Sequence, residues 1–108
     1  MPRPLRGVPA QARRAHRFDP LAVDPLFTLA LVEQQQGRAS EALATLEQAV
    51  RLQPQNYATY YELGLMELNV LGRRPEAAAA FRHALSLNPY DDSSSYELGV
   101  ALAPPATP

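Results

Sequence analysis

The side chains in this sequence that could take part in catalysis are few and widely separated. His16 lies in an arginine-rich segment, and His83 follows Arg82 in a helical pattern with no other histidine or cysteine within helical reach. A metal site needs several ligands brought together, so we expect both histidines to be surface residues. Cysteine is absent, which excludes a disulfide, a thiolate ligand and a cysteine nucleophile.

The serines and glutamates form no catalytic pattern either. Ser93, Ser94 and Ser95 follow two aspartates directly after Pro89, which is typical of a helix start rather than of a nucleophile. The spacing of Glu62, Glu67 and Glu97 does not pair a catalytic acid with a base. The sequence also contains no glycine-rich phosphate loop. We therefore predict a protein that is not an enzyme and has no catalytic residue, metal or cofactor.

Composition indicates one modest globular domain. The chain has 108 residues, of which 46% are hydrophobic and 19% charged, and its formal net charge is -1. It lacks both the apolar run of about 18 residues needed to cross a membrane and the apolar core of a secretion signal, so we expect a cytoplasmic protein. All of its basic residues are arginine, and alanine and proline are abundant. This bias is typical of coding in a GC-rich genome.

Internal repetition is the main organising feature of the sequence. Pro20, Pro54 and Pro89 each follow an apolar helical pattern, and they lie 34 and 35 residues apart. The tetrapeptide Tyr61–Gly64 recurs without change as Tyr96–Gly99. Such a period indicates an array of helix pairs in which each pair buries its apolar face against its neighbours.

Each copy contains two helical patterns separated by a glycine. The first copy predicts helices over about 24–36 and 40–52, with Ser40 as the N-cap of the second. The next copy predicts a helix over about 56–71. Gly37 and Gly72 stand where a helix C-terminus favours positive φ. Pro75 fits the first turn of the following helix, where its missing N–H costs nothing.

These residues closely resemble the tetratricopeptide repeat family. The leucine–small pair of that family's first helix appears as Leu29-Ala30, Leu63-Gly64 and Leu98-Gly99. The signature of its second helix appears as Ala42, Leu46, Ala49 and Pro54, and again as Ala77, Phe81, Ala84 and Pro89. The resemblance implies an all-α fold, a right-handed stack of antiparallel helix pairs that binds other proteins.

The repeat register divides the chain into two full repeats with half-repeats at both ends. The interval from Gly64 to Gly72 is one residue longer than the interval from Ala30 to Gly37. We expect the extra residue in a lengthened turn rather than in a helix bulge. The predicted segments are a disordered basic arm (1–9), a second-helix remnant (10–22), repeat 1 (23–56), repeat 2 (57–91), a lone first helix (92–103) and a proline-rich tail (104–108).

The family resemblance implies that partners bind to the surface formed by the first helix of each repeat. The residues expected there are Phe27, Leu31, Gln34, Tyr61, Leu65, Asn69 and Tyr96, with Val100 beside them. We expect this groove to be aromatic and neutral. Aromatic rings replace the cations with which some family members grip a C-terminal carboxylate, so the ligand should be an apolar or aromatic peptide segment or helix. The alternative is that Phe27, Tyr61 and Tyr96 only cover neighbouring helices.

The sequence also supports other hypotheses. The incomplete repeats predict a homo-oligomer formed through open ends, or a regulatory or assembly domain of a larger protein. Weak similarity to the C-terminal repeat regions of bacterial O-antigen ligase-like proteins fits the second possibility. The arginines before Phe18 are a weak signal for nucleic-acid binding, which we do not expect, because no aromatic residues lie among them.

Overall fold

The structure, a computed structural model, describes residues 22–104 as five α-helices without a strand in that range. The helices are α1 (Asp24–Gln35), α2 (Ala39–Leu52), α3 (Tyr57–Asn69), α4 (Arg74–Leu87) and α5 (Asp92–Leu102). The predicted all-α class is therefore confirmed. The predicted arm, nearly all of the second-helix remnant and the tail beyond residue 104 lie outside the described residues.

The chain divides into two compact units, residues 1–54 and 55–108. In the first unit α1 packs against α2, and its core contains Val23, Leu26 and Ala49. In the second unit α4 packs against both α3 and α5. None of the described helices is long and apolar enough to cross a membrane.

Glycine allows both turns between paired helices. Gly37 and Gly72 have φ values of 74° and 66°, in the left-handed region that side chains with a Cβ rarely adopt, so both predicted positions are confirmed. Within the described residues no other residue type has a positive φ. The backbone therefore reverses at the positions that the sequence pattern marks.

The extra residue of the second copy lies in the turn, as predicted. The first turn closes with a hydrogen bond of 2.8 Å from the Arg38 N–H to the Glu33 carbonyl, five residues earlier. The second closes with a bond of 2.7 Å from the Arg73 N–H to the Glu67 carbonyl, six residues earlier. Because the same closing bond spans one more residue, α3 needs no bulge.

Helix starts follow the prediction at two places and depart from it at a third. Asn56 caps α3 by accepting a hydrogen bond of 3.0 Å from the Ala58 N–H, and Pro75 lies in the first turn of α4. The prediction that Ser40 caps α2 is wrong. The chain has already reversed at the preceding glycine, so the Arg38 carbonyl accepts the first helical bond, at 3.0 Å, and α2 begins before Ser40.

The core of the second unit depends on a close contact between Gly64 in α3 and Phe81 in α4. A Cβ atom built on Gly64 would lie 2.5 Å from Cε1 and 2.8 Å from Cδ1 of the phenyl ring. Phe81 is fully buried among small residues of its own helix, Ala77 and Ala78, and Ala101 of α5. Only glycine at position 64 leaves room for this ring.

Arg74 closes the far end of this unit. Its guanidinium donates hydrogen bonds to the carbonyls of Ala101 at 3.2 Å, Val100 at 2.7 Å and Ala103 at 2.6 Å. The last carbonyls of a helix have no partner within the helix, so a side chain from α4 supplies the missing donors for α5. The positive charge also favours the negative end of the helix dipole.

We predict opposite effects of alanine at the two glycines of the repeated tetrapeptide. Gly64→Ala should destabilise the fold by about 1–3 kcal/mol, because the added methyl group overlaps the Phe81 ring. Gly99→Ala should stabilise it by up to about 1 kcal/mol, because nothing described lies within 4 Å and alanine favours a helix. Urea unfolding measures both. Equal effects would contradict the packing described here.

We also predict that Arg74→Gln weakens α5 more than α4. Losing the three charged hydrogen bonds should cost about 1–2 kcal/mol, with faster amide hydrogen exchange in the last turn of α5. Arg82→Gln, which changes an exposed arginine of the same helix, is the control. Unchanged exchange in residues 99–103 of the Arg74→Gln protein would show that the cap contributes nothing.

Candidate functional site

The first unit places its three predicted site residues on one face of α1. Phe27, Leu31 and Gln34 are spaced four and three residues apart, so their side chains follow one another along the helix. Phe27 is half-buried and packs against the core cluster that contains Val23 and Leu26. Gln34 is half-buried as well. Leu31 is 52% exposed and is the open apolar residue of this face.

The second unit places its predicted residues on two helices. Tyr61, Leu65 and Asn69 lie on α3 at intervals of four residues, and Tyr96 lies on α5. Tyr61 and Leu65 pack against the core cluster around Phe81, and the centroids of the Tyr61 and Phe81 rings are 6.0 Å apart at a tilt of 53°. Tyr61 therefore takes part in the packing of α3 against α4.

Tyr96 is in a different situation from Tyr61, although both belong to the same repeated tetrapeptide. Its side chain is 71% exposed and is not part of the described core. Val100, one turn further along α5, is also exposed, and so is Asn69 at the end of α3. Tyr96 and Val100 therefore form an accessible apolar strip on α5.

The Tyr61 hydroxyl connects α3 with the beginning of α5. It hydrogen-bonds with the Ser93 side chain, and it lies close enough to the Glu97 carboxylate to feel its charge. Burial and the negative charges of Glu97, Glu62 and Asp91 together raise its pKa above the ordinary value, against a smaller lowering by Ser93. The ring thus stays neutral throughout the physiological range.

This charge distribution corrects the expectation of a neutral groove. Three carboxylates act on the Tyr61 hydroxyl, and α5 contains Asp92 and Glu97 but no basic residue. Spacing along the sequence did not indicate this, because Asp91 and Glu97 reach Tyr61 only through the packing of the helices. The aromatic part of the second unit is therefore acidic, which disfavours an anionic ligand.

Two glutamates are buried, which the sequence did not lead us to expect. Glu33 is buried in the first unit, where Thr45 Oγ1 lies 2.6 Å from its Oε1 atom. Glu67, 34 residues later, is buried in the second unit with Arg73 Nη1 3.8 Å from its Oε2 atom. Both acids precede the turn between paired helices, and the repeat period itself was the available signal. Within each unit the backbone carbonyl of the glutamate closes the turn.

The described histidine is engaged with an aromatic ring. His83 is exposed, and its ring stacks on Tyr60 of α3 with centroids 3.9 Å apart and planes 16° apart. Across residues 22–104, no group of three or more histidine, aspartate or glutamate side chains is placed to hold a metal ion. His16 lies outside that range.

A comparison with known protein families shows to which family the chain belongs. A family model described as tetratricopeptide repeat matches residues 27–92, from the fourth residue of α1 to the first residue of α5. The chain belongs to the tetratricopeptide repeat family. Its members generally mediate contacts between proteins. Comparison with curated proteins gives no match.

Solved structures agree with this fold. A crystal structure of MamA superposes with a TM-score of 0.66 at 24% sequence identity, covering 83% of this chain and 52% of MamA. The chain thus spans about half the length of MamA, and the likeness concerns the helical repeat fold. Neither match supports the weaker resemblance to O-antigen ligase-like proteins.

We predict a pH-dependent effect at Glu62, whose carboxyl pKa is raised by burial. A pKa that is higher in the folded than in the unfolded state means that ionisation opposes folding, so this cost is present at neutral pH and disappears as the pH falls below the ordinary value near 4.5. Glu62→Gln should therefore raise Tm at pH 7 and lose that advantage below about pH 4.

Thermal unfolding followed by circular dichroism from pH 3 to pH 8 measures this difference. Glu47→Gln, at an exposed position of α2, is the control for removing a negative charge. A Tm gain for Glu62→Gln that is as large at pH 3.5 as at pH 7 would contradict a cost of ionisation.

Proposed function

We propose that this chain is a non-enzymatic scaffold that binds a peptide segment or partner subunit through the exposed faces of its first helices. The proposed contact residues are Phe27, Leu31 and Gln34 in the first unit and Tyr61, Leu65, Asn69 and Tyr96 in the second. The observation that carries the proposal is the exposure of Tyr96, because a tyrosine that is not part of the core is a typical interface residue.

The two kinds of residue in this face have different tasks. Tyr61 and Leu65 are fixed against the core around Phe81, so they offer a rigid surface at little entropic cost. Tyr96 and Val100 are exposed and offer area that becomes buried only on binding. A rigid apolar surface with an exposed tyrosine beside it favours binding of an extended or helical segment that contributes its own apolar side chains.

The acidic residues near Tyr61 indicate which charge a ligand of the second unit should carry. The acidic groups around Tyr61 favour a ligand with lysine or arginine next to an aromatic or aliphatic residue. They disfavour a ligand held by its C-terminal carboxylate, in agreement with the absence of cations at these positions of the first helices. We therefore propose a cationic and apolar peptide as the partner of the second unit.

Self-association is the second candidate. Leu102, at the end of α5, is 55% exposed, and together with Val100 it adds apolar area that a second copy of the chain could cover. Sedimentation velocity over a wide concentration range tests this, and a constant monomer would remove it.

Selection from a displayed library of random peptides tests the main proposal. We expect enriched peptides to combine an aromatic residue with lysine or arginine. Tyr96→Ala should weaken their binding about tenfold or more, which corresponds to about 1.4 kcal/mol, while leaving Tm nearly unchanged. Fluorescence anisotropy measures the affinity.

Tyr90→Ala is the matched control, because Tyr90 is an even more exposed tyrosine in the turn before α5 and is not among the proposed contacts. Equal losses for Tyr96→Ala and Tyr90→Ala would contradict the proposed face. A steep loss of affinity with salt that is unaffected by either substitution would instead favour binding through the N-terminal arginines.

A further inference from the structure

Charge is distributed unevenly along this chain. Residues 1–18 contain five of the ten basic residues and no acidic residue, and all eleven acidic residues lie from Asp19 onward. The five basic residues are Arg3, Arg6, Arg13, Arg14 and Arg17. We call residues 3–18 the basic segment; it lies outside the described residues. The chain thus combines a cationic segment with an acidic remainder.

In the second unit the acidic residues are concentrated on the two helices that contain the proposed contacts. α3 and α5 have four carboxylates between them and no basic residue. Two arginines of α4 and the turn before it are engaged elsewhere, Arg74 with carbonyls at the end of α5 and Arg73 with Glu67. Among the described residues, no ion pair includes Glu62 or Glu97. Their charges are therefore available to a ligand.

Glu62 and Glu97 lie 35 residues apart in the sequence but act on the same place. Each directly follows the tyrosine of the repeated tetrapeptide, and both are half-buried. Besides burial, both carboxylates raise the pKa of the Tyr61 hydroxyl, Glu97 from α5 and Glu62 from α3. Like charges that share one surface repel each other, and a cationic ligand relieves this repulsion.

Exposed apolar surface borders these carboxylates. On α5, Tyr96 is 71% exposed and Val100 is 38% exposed. Arginine suits such a surface well, because its planar guanidinium can pair with a carboxylate and stack on an aromatic ring. The basic segment combines its arginines with Leu5, Val8 and Phe18. Its composition is therefore that of the ligand proposed for the second unit, cationic and apolar.

The length of the segment favours binding within the same chain. An extended chain spans up to about 3.3–3.6 Å per residue, so about twenty residues cover up to roughly 70 Å. A helix of 13 residues such as α3 is only about 20 Å long. A tethered ligand also reaches an effective concentration in the millimolar range. The chain's own segment therefore has an advantage over the segment of a second copy.

We propose that the basic segment binds to the acidic face of the second unit in the same chain and thereby competes with the external peptide. The acidic face consists of Tyr61, Glu62, Tyr96, Glu97 and Val100. This inference rests on the proposed function and adds a regulator of the same site. A partner must displace the segment before it binds, so the free face has a higher affinity than the full chain displays.

Neutralising the basic segment in the full chain tests the competition. The variant replaces its five arginines by glutamine, and the probe is a fluorescently labelled peptide of residues 3–18, followed by anisotropy at low salt. The neutralised chain should bind the probe about tenfold more tightly than the original chain, which keeps its own segment on the face. The difference should shrink as salt screens the carboxylates.

A milder variant guards against an effect on folding. Arg13→Gln combined with Arg14→Gln should tighten probe binding by about threefold. Circular dichroism should show the same helix content for the original chain, this variant and the fully neutralised chain.

Two matched pairs of substitutions in the neutralised chain locate the site. Glu62→Gln with Glu97→Gln should weaken probe binding at least tenfold, because both carboxylates of the acidic face lose their charge. Glu47→Gln with Glu76→Gln removes the same charge from exposed positions of α2 and α4 and should change binding less than twofold.

Four outcomes would overturn the proposal. The first is that the neutralised chain does not bind the probe, and the second is that it binds no more tightly than the original chain. The third is an equal loss of binding for both glutamine pairs. The fourth is self-association of the original chain that neutralisation abolishes in sedimentation velocity, because a second copy would then supply the segment.

Peptides selected from the random library separate this inference from the proposed function. We expect them to bind the neutralised chain about tenfold more tightly than the original chain. Equal affinity for both chains would contradict only the competition by the basic segment. A selection that yields no peptide binding to either chain would contradict the proposed function itself.

Discussion

The contact between the Gly64 backbone and the Phe81 ring is the constraint on which the second unit depends. With no Cβ at position 64, α4 approaches α3 closely enough for the ring to be fully buried. The same placement of α4 brings Ala77 and Ala78 into the cluster that includes Ala101 of α5, and it puts Arg74 within reach of the last carbonyls of α5. Burial of one phenyl ring contributes roughly 1.5–3 kcal/mol, so no single exposed ion pair in this unit matches its effect.

The proposed binding face shares residues with this packing. Tyr61 touches Phe81 on one side and reaches Ser93 with its hydroxyl, so it belongs to the core as much as to the surface. Tyr96 is followed by the same three residues as Tyr61 but stays exposed, because it lies on a helix with no further described helix beyond it. A repeat protein can thus use one tetrapeptide for two purposes, and the surroundings of each copy decide which purpose it serves.

The sequence predicted the helices and turns well, because prolines, glycines and a fixed repeat period act locally. Gly37 and Gly72 need positive φ whatever surrounds them, and Gln53 and Asn88 leave the α region because proline follows. The Arg74 cap and the acidic surroundings of Tyr61 were not predicted, because they join residues about 30 positions apart whose side-chain directions depend on packing. For the candidate site, the spacing of the residues predicted which of them share one face of a helix. It could not predict that Tyr61 is packed and Tyr96 exposed, because this depends on the residues that surround each ring in the fold.

Proton NMR offers the most direct measurement of the central contact. Nuclear Overhauser spectra of the full chain should show strong cross-peaks between the Gly64 α-protons and the Phe81 ring protons, since a Cβ on Gly64 would lie only 2.5 Å from that ring. The Gly99 α-protons should show no cross-peak to any aromatic ring of residues 22–104. Absence of the cross-peaks at Gly64, or equal cross-peaks at both glycines, would contradict the account.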